Sequence, residues 1–130
     1  VTMIAISKAP YNKIAAYKKR MGWEFKWLSS FDTDFNFDYF VSFTPEELAK
    51  KIASYNFISQ DPRISEREGV SVFYQDSSGK IFHTYSAYER GIDILNNTYN
   101  YLDLVPKGRD EDGYDFPMAW VRRHDEYNKK

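Results

Sequence analysis

The chain has 130 residues and no cysteine. That absence excludes disulfides, a thiolate nucleophile and any cysteine metal site of its own. It fits an intracellular address, and a cytoplasmic location is the expectation. Long apolar runs are missing as well. None approaches the roughly 20 residues of a membrane helix, and no charged-then-apolar signal segment opens the sequence. Charge of one sign is not in excess, with 18 basic against 19 acidic residues, so no overall field recommends a nucleic acid or an anionic membrane as partner. Leucine is scarce. In its place stand 11 Tyr, 10 Phe and 3 Trp, which build a core, or a pocket, whose walls are apolar but carry hydroxyl tips. The length is that of one domain, taken as residues 1 to 130.

"VTMIAIS" is continuously apolar and β-branched, the pattern of a strand covered on both faces. "SKAPYNKIAAYKKRMGW" reads as a helix, with Pro10 near its first turn, Lys18, Lys19 and Arg20 at its negative end and Gly22 as its stop. "EFKWLSS" follows as a strand, completing a βαβ unit. "FDTDFNFDYFVSF" alternates at period two and predicts an extended segment with an acidic outer side. Thr44, Pro45 and Glu47 form a helix-start signature, with Leu48, Ile52 and Tyr55 as the inward stripe.

Residues 59 to 69 read as a polar loop. "GVSVFYQDSSGKIFHTYS" predicts a hairpin turning at residues 76 to 79. On its second strand, plain alternation places His83 and Tyr85 on one face. Ser86 and Glu89 predict a second capping box, opening a helix whose stripe is Tyr88, Ile92, Leu95, Tyr99 and Leu102. "PKGRDEDGYDFP" is a charged loop and "MAWVRRHDEYNKK" a last short helix or tail.

Few constellations carry chemistry. "DTDFNFD" resembles half of a calcium loop, but Phe37 and Phe43 stand where that loop needs Gly and Glu. The two histidines, His83 and His124, lack any metal-ligand spacing, and no cofactor motif is present. Ser86 has no nucleophile elbow. "PKGRDE" can hold an anion or be a solvated loop. The basic clusters are broken by acidic residues, unlike a nucleic-acid groove. A buried imidazole requires a partner for each ring nitrogen, and His83 is expected to be at least half buried and hydrogen-bonded to a tyrosine, a carboxylate or a backbone group, with tyrosine hydroxyls and the "RRHDEY" tail as the nearest candidates.

The runs "SKAPYNKIAAYKKRMGW", "DFNFDY", "GVSVFYQD", "IFHTYSAYERG", "TYNYLDLVPKGRDE" and "WVRRHDEY" together resemble a family of uncharacterised, mostly bacterial, thioredoxin-like proteins, a domain of unknown function described as predicted dithiol–disulfide oxidoreductases. The resemblance implies an α/β fold: a thioredoxin-like βαβ plus an antiparallel ββα hairpin unit. It places redox cysteines and a central strand upstream of Val1, on a region this chain lacks, and a cis-proline near Gly69, where this chain has none.

The chain, which starts with Val1 and enters an apolar run at once, is therefore expected to be a C-terminal portion of a longer protein. The gap in the sheet is expected to be filled by the 31–43 segment, by a missing N-terminal segment or by a second copy in a homodimer. Without an attacking thiolate the chain cannot perform thiol–disulfide exchange. The competing class is a non-redox binding module with a Tyr-rich aromatic pocket built around Trp23, His83, Tyr85, Arg90 and His124. A third is an enzyme using His83 or His124 as general base.

Overall fold

A parallel pair of strands needs a long crossover, and the first 29 residues supply one. The structure, a computed structural model, describes residues 1–127. β1 (Ile4–Ser7) pairs in parallel with β2 (Lys26–Ser29), Ile4 against Lys26 and Ser7 against Ser29, around α1 (Tyr11–Met21). Ile14 and Met21 are the buried residues of α1. The helix ends where Gly22 enters the left-handed region at φ 65°, its N–H bonding back to the last carbonyls. Lys18 Nζ reaches over the end of the helix to the carbonyl of Phe25 at 2.5 Å. β1 is not covered on both faces: Ile4 and Ile6 on β1 and Leu28 on β2 are exposed, because two strands and one helix cover only one side.

Two compact units account for the chain: Val1–Asp34 together with the residues from Lys107 onward, and Phe35–Pro106. Residues 31–43, where the first unit passes into the second, do not form the expected extended segment. A short helix, α2 (Phe35–Asp38), is stabilised by Phe35 packed at a tilt against Tyr39, ring centres 4.6 Å apart, a spacing of four that fits a helix turn as well as a strand face. Beyond it, residues 41–43 run beside 65–67 through Phe43 N–H to Ser65 O (3.0 Å) and Arg67 N–H to Val41 O (2.8 Å).

α3 (Pro45–Lys50) opens with the expected capping box: the Thr44 hydroxyl accepts from Glu47 N–H at 3.2 Å while the Glu47 carboxylate accepts from Thr44 N–H at 2.8 Å. It is shorter than the stripe implied. Lys51 adopts φ 54° and ends it, so Ile52 is exposed and Tyr55 belongs to the strand that follows. β3 (Ala53–Tyr55), where the helix was expected to continue, and β4 (Ile58–Gln60), running into the expected polar loop, form a small antiparallel hairpin.

β5 (Gly69–Gln75) and β6 (Ile81–Tyr88) make the main hairpin, with the turn at Asp76–Gly79 as expected. Asp76 holds it closed by accepting from Ser78 Oγ at 2.6 Å and from the N–H groups of Ser78 and Lys80 at 2.9 and 3.0 Å. The core of this unit is Val41, Phe43, Ala53, Tyr55 and Tyr88, with Tyr39 and Leu48 packed against it. Tyr55 is fully buried, its ring edge-on to Phe43 (6.0 Å) and Tyr88 (5.5 Å). Gly69 belongs to this packing: a Cβ there would lie 2.9 Å from Tyr88 Cε1 and 3.2 Å from Val41 Cγ1. No cis peptide bond occurs among the described residues.

After β6 the expected continuous helix is broken. A 3₁₀ segment, Glu89–Leu95, gives way at Asn96 to α4 (Asn97–Leu102). Tyr99 is buried, whereas Leu95 and Ile94 are exposed, so the stripe does not persist through the change of pitch. The expected second capping box is absent as well. Ser86 lies inside β6, and the 3₁₀ segment has no side-chain cap. The tail from Lys107 forms turns, not a helix, as far as residue 127. The architecture is mixed α/β, with three two-stranded sheets among the described residues.

Candidate functional site

The β5–β6 hairpin contains one residue too many on its second strand. From the turn outward the pairs are Gln75–Ile81, Tyr74–Phe82 and Phe73–His83; then Val72 faces Tyr85, and Ser71 faces Ser86. Thr84 is the extra residue, a β-bulge. One bulge reverses the side-chain alternation beyond it. His83 therefore shares its face with Ser86 and not with Tyr85, which corrects the simple alternation. The first face carries Ser71, Phe73, His83 and Ser86; the second carries Val72, Tyr74, Phe82 and Tyr85.

On the first face a polar line forms. His83 Nε2 lies 2.7 Å from Ser86 Oγ and 3.1 Å from the carbonyl of Tyr85, and Ser86 Oγ lies 3.0 Å from Ser71 Oγ. A carbonyl only accepts, so the tautomer that satisfies both contacts carries its proton on Nε2. Ser86 then accepts from the imidazole and donates to Ser71. This orientation makes Ser86 a poor nucleophile, because its proton is not directed at a base. The Phe73 ring stacks on the imidazole at 4.8 Å and 24°. The ring is thus held on one side by an aromatic face and at one nitrogen by two oxygens. Nδ1 has no protein partner among the described residues.

His83 is exposed, contrary to the expectation that it is at least half buried. The reason is architectural. Among the described residues nothing covers the outer part of the hairpin on either face, so Val72, Phe73, Tyr74, Ile81 and Tyr85 are between 47% and 64% exposed. Its bonding partners are a backbone carbonyl, as one of the expected alternatives had it, and a serine. Arg90, at the start of the 3₁₀ segment, is exposed and pairs with Asp93 at 2.9 Å.

The base of the hairpin is clamped by a polar cluster with no counterpart in the sequence reading. Glu89 holds a strained backbone, φ 46°. Its carboxylate accepts from Arg67 Nη2 at 2.9 Å and from Asn56 Nδ2 at 3.1 Å, and its N–H reaches the Tyr55 hydroxyl at 3.3 Å. Tyr55 donates to the carbonyl of Glu68 at 2.8 Å, and the Arg67 guanidinium lies 4.6 Å over its ring. Burial, then the nearby Glu68 carboxylate, pushes the Tyr55 hydroxyl up to about 12. The cluster is internally satisfied and acts as a fastening. No single motif announces it, since its members come from three separate stretches.

Trp23 and His124 belong to the other unit, apart in the chain from His83, Tyr85 and Arg90. Trp23 sits in a ring cluster with Tyr17 (5.6 Å), Phe25 (5.3 Å) and Trp27 (5.8 Å), and Trp27 Nε1 donates to Ser7 Oγ at 3.0 Å. His124 is exposed on the tail, whose neighbours latch onto α1. Arg20 donates to Asp125 at 2.7 and 2.9 Å and to Glu126 at 3.0 Å, and Arg123 Nε donates to Tyr17 OH at 2.9 Å. Arg20, then Arg123, holds the Glu126 carboxyl down at about 2.

In the "PKGRDE" loop Lys107 is engaged by Asp110 at 2.6 Å, which weakens the anion-holding alternative. No group of three His, Asp or Glu residues converges as a metal site, and no helix is long and apolar enough to cross a membrane, among the described residues.

No curated protein and no solved structure matches the chain. The model of one family, described as a bacterial protein of unknown function (DUF899), matches residues 1–127. With nearly the whole length covered, the chain belongs to that family.

Proposed function

We propose that this chain is a thioredoxin-like binding module without thiol–disulfide exchange of its own, and that the first face of the β5–β6 hairpin is its recognition surface. The thioredoxin-like part of the reading rests on the residue runs quoted above. It is also supported by the order of elements: a parallel βαβ unit, then an antiparallel hairpin passing into a helical segment. The absence of a thiolate rests on composition alone.

The observation that carries the binding reading is the fixed imidazole of His83. Its Nε2 edge is occupied by Ser86 and Tyr85, its face is stacked on Phe73, and its bare Nδ1 is a preoriented acceptor beside an aromatic wall. Such a site selects a flat ligand carrying one hydrogen-bond donor, a phenol, indole or anilide. The donor bonds to Nδ1 while the ring lies along Phe73.

Titration of the ¹⁵N-labelled chain with phenol, indole and acetanilide tests this. Saturable shifts centred on Phe73, His83 and Ser86, lost in His83→Phe, are expected. Shifts spread elsewhere, or unchanged in His83→Phe, overturn it. Dithiol-dependent insulin reduction by the chain is expected to equal the buffer rate, and turnover by homogeneous, metal-free protein overturns the redox part.

A further inference from the structure

Within the first compact unit, residues 121–127 lie on α1 as a strap with no helix or strand of its own. Its upstream end is fixed, because Trp120 Nε1 donates to the Glu111 carboxylate at 2.7 Å. Of its two arginines, Arg122 turns back on its own backbone, donating to the carbonyls of Ala119 and Val121 at 2.7 and 3.1 Å. Arg123 reaches across to the helix. Its Nε donates to the Tyr17 hydroxyl at 2.9 Å, and its guanidinium lies 5.6 Å from the centre of that ring. Two and three residues on, Asp125 accepts from Arg20 Nε and Nη2, and Glu126 accepts from Arg20 Nη2. Tyr17 and Arg20 are three apart on α1 and so share a face. That face reads a cation first and an anion next.

We propose that this face of α1 is a docking site for a peptide segment of a partner protein, an arginine followed two and three residues later by acidic residues, and that the strap occupies it as a built-in competitor. The chemistry of the ligand is taken from the occupant already in place. The strap is displaceable because nothing buries it. The side chains of Arg20, Arg123, Asp125 and Glu126 remain 26–49% exposed, and exposed ion pairs hold weakly. Val121 and Tyr127, which flank the contact, are exposed as well. With Trp120 fixed, the strap can leave and return while the rest of the unit stays folded.

A partner has to displace a tethered competitor, whose effective concentration is on the order of millimolar. The surface beside the strap gives it the means. Trp23, whose ring lies 5.6 Å from Tyr17, is still exposed with the strap in place, and offers an apolar wall to a longer or more apolar segment. This inference does not depend on the ligand reading, which concerns Nδ1 of His83 in the other unit.

The strap's own sequence supplies the probe. An end-blocked peptide "WVRRHDEY", residues 120–127, is titrated into the ¹⁵N-labelled full chain and into the variant Arg123→Ala/Asp125→Asn/Glu126→Gln, whose strap no longer competes. The peptide is expected to bind the variant at least tenfold more tightly than the parent, with shifts centred on Tyr17, Arg20 and Trp23. A peptide carrying the same three replacements is expected to bind neither protein. Adding Arg20→Gln to the variant is expected to weaken the peptide at least fivefold. Asp125→Asn/Glu126→Gln serves in place of the triple variant if the latter fails to fold. Equal affinity for parent and variant, equal affinity of the two peptides, or indifference to Arg20→Gln overturns the inference. A parent chain that sediments as a dimer, lost in the variant, would make the occupant the strap of a second copy and overturn it too.

Discussion

His83 and Ser86 are three residues apart on one strand and still share a face, with Nε2 2.7 Å from Oγ, because Thr84 is looped out between them. The relationship rests on one inserted residue. Deleting Thr84 should therefore keep every cross-strand pair and regularise the ladder. Nuclear Overhauser contacts from the His83 ring to Phe73 and Ser86 should survive the deletion. If His83 instead swings to the face of Tyr85, the bulge has been misplaced.

Two caps predicted from the same sequence signature separate cleanly by mutation. Thr44→Ala removes an observed capping box and should cost about 1 kcal/mol. Ser86→Ala removes a half-buried strand hydroxyl that bonds His83 and Ser71, and should cost about 1 kcal/mol. The readout that distinguishes them is amide exchange: Thr44→Ala should speed exchange in residues 45–50, and Ser86→Ala should leave residues 89–95 unaffected. Faster exchange across 89–95 in Ser86→Ala would mean that the serine caps after all.

Both caps carry the same Ser/Thr-x-x-Glu pattern, and only one survives tertiary context, which shows where the sequence is informative. α1 with its Gly22 stop, the βαβ order and the turn at Asp76–Gly79 are local and were legible, because each is fixed by residues within one or two turns of chain. The bulge was not, since period-two reasoning has no means of counting an unpaired residue. Residues 31–43 misled because Phe35 and Tyr39 satisfy both a strand face and a helix turn. The stripe from Tyr88 to Leu102 spans a change from 3₁₀ to α at Asn96, which periodicity cannot register. Of the site, His83 was singled out in the sequence, though as a half-buried residue and it is exposed, and Ser71 and Phe73 were invisible until the register was known.

Tyr55 predicts an alkaline loss of stability. In the unfolded chain a tyrosine ionises near 10, and in the folded chain Tyr55 is pushed up to about 12, chiefly by burial. The contribution is fully present below pH ~10. Between ~10 and ~12 the unfolded chain releases a proton that the folded chain keeps, so stability falls by about 2 kcal/mol over that window. Tyr55→Phe should abolish this component while costing about 1–3 kcal/mol at neutral pH, because Glu89 N–H loses its acceptor. Denaturant unfolding of both proteins from pH 8 to 12 measures it; parallel curves would contradict the assignment.

The tail latch on α1 responds to acid. Glu126 is held at about 2, below its unfolded value, so its contribution is present above pH ~4 and fades as the pH falls toward 2. Protease cleavage within residues 123–127 should accelerate over that range, and Arg20→Ala should show the accelerated rate already at pH 7. Cleavage in Arg20→Ala that matches the parent would show that the latch is not held by these pairs.

The most direct test of the central claim, a fixed His83 that offers Nδ1 to a ligand, is a long-range ¹H–¹⁵N spectrum of the two imidazoles, with His124→Ala assigning the signals. The account predicts that His83 is the Nε2–H tautomer at pH 8, with a bare Nδ1 whose ¹⁵N signal moves upfield when phenol or indole is added. A proton on Nδ1, or an Nδ1 signal indifferent to saturating donor, would contradict it.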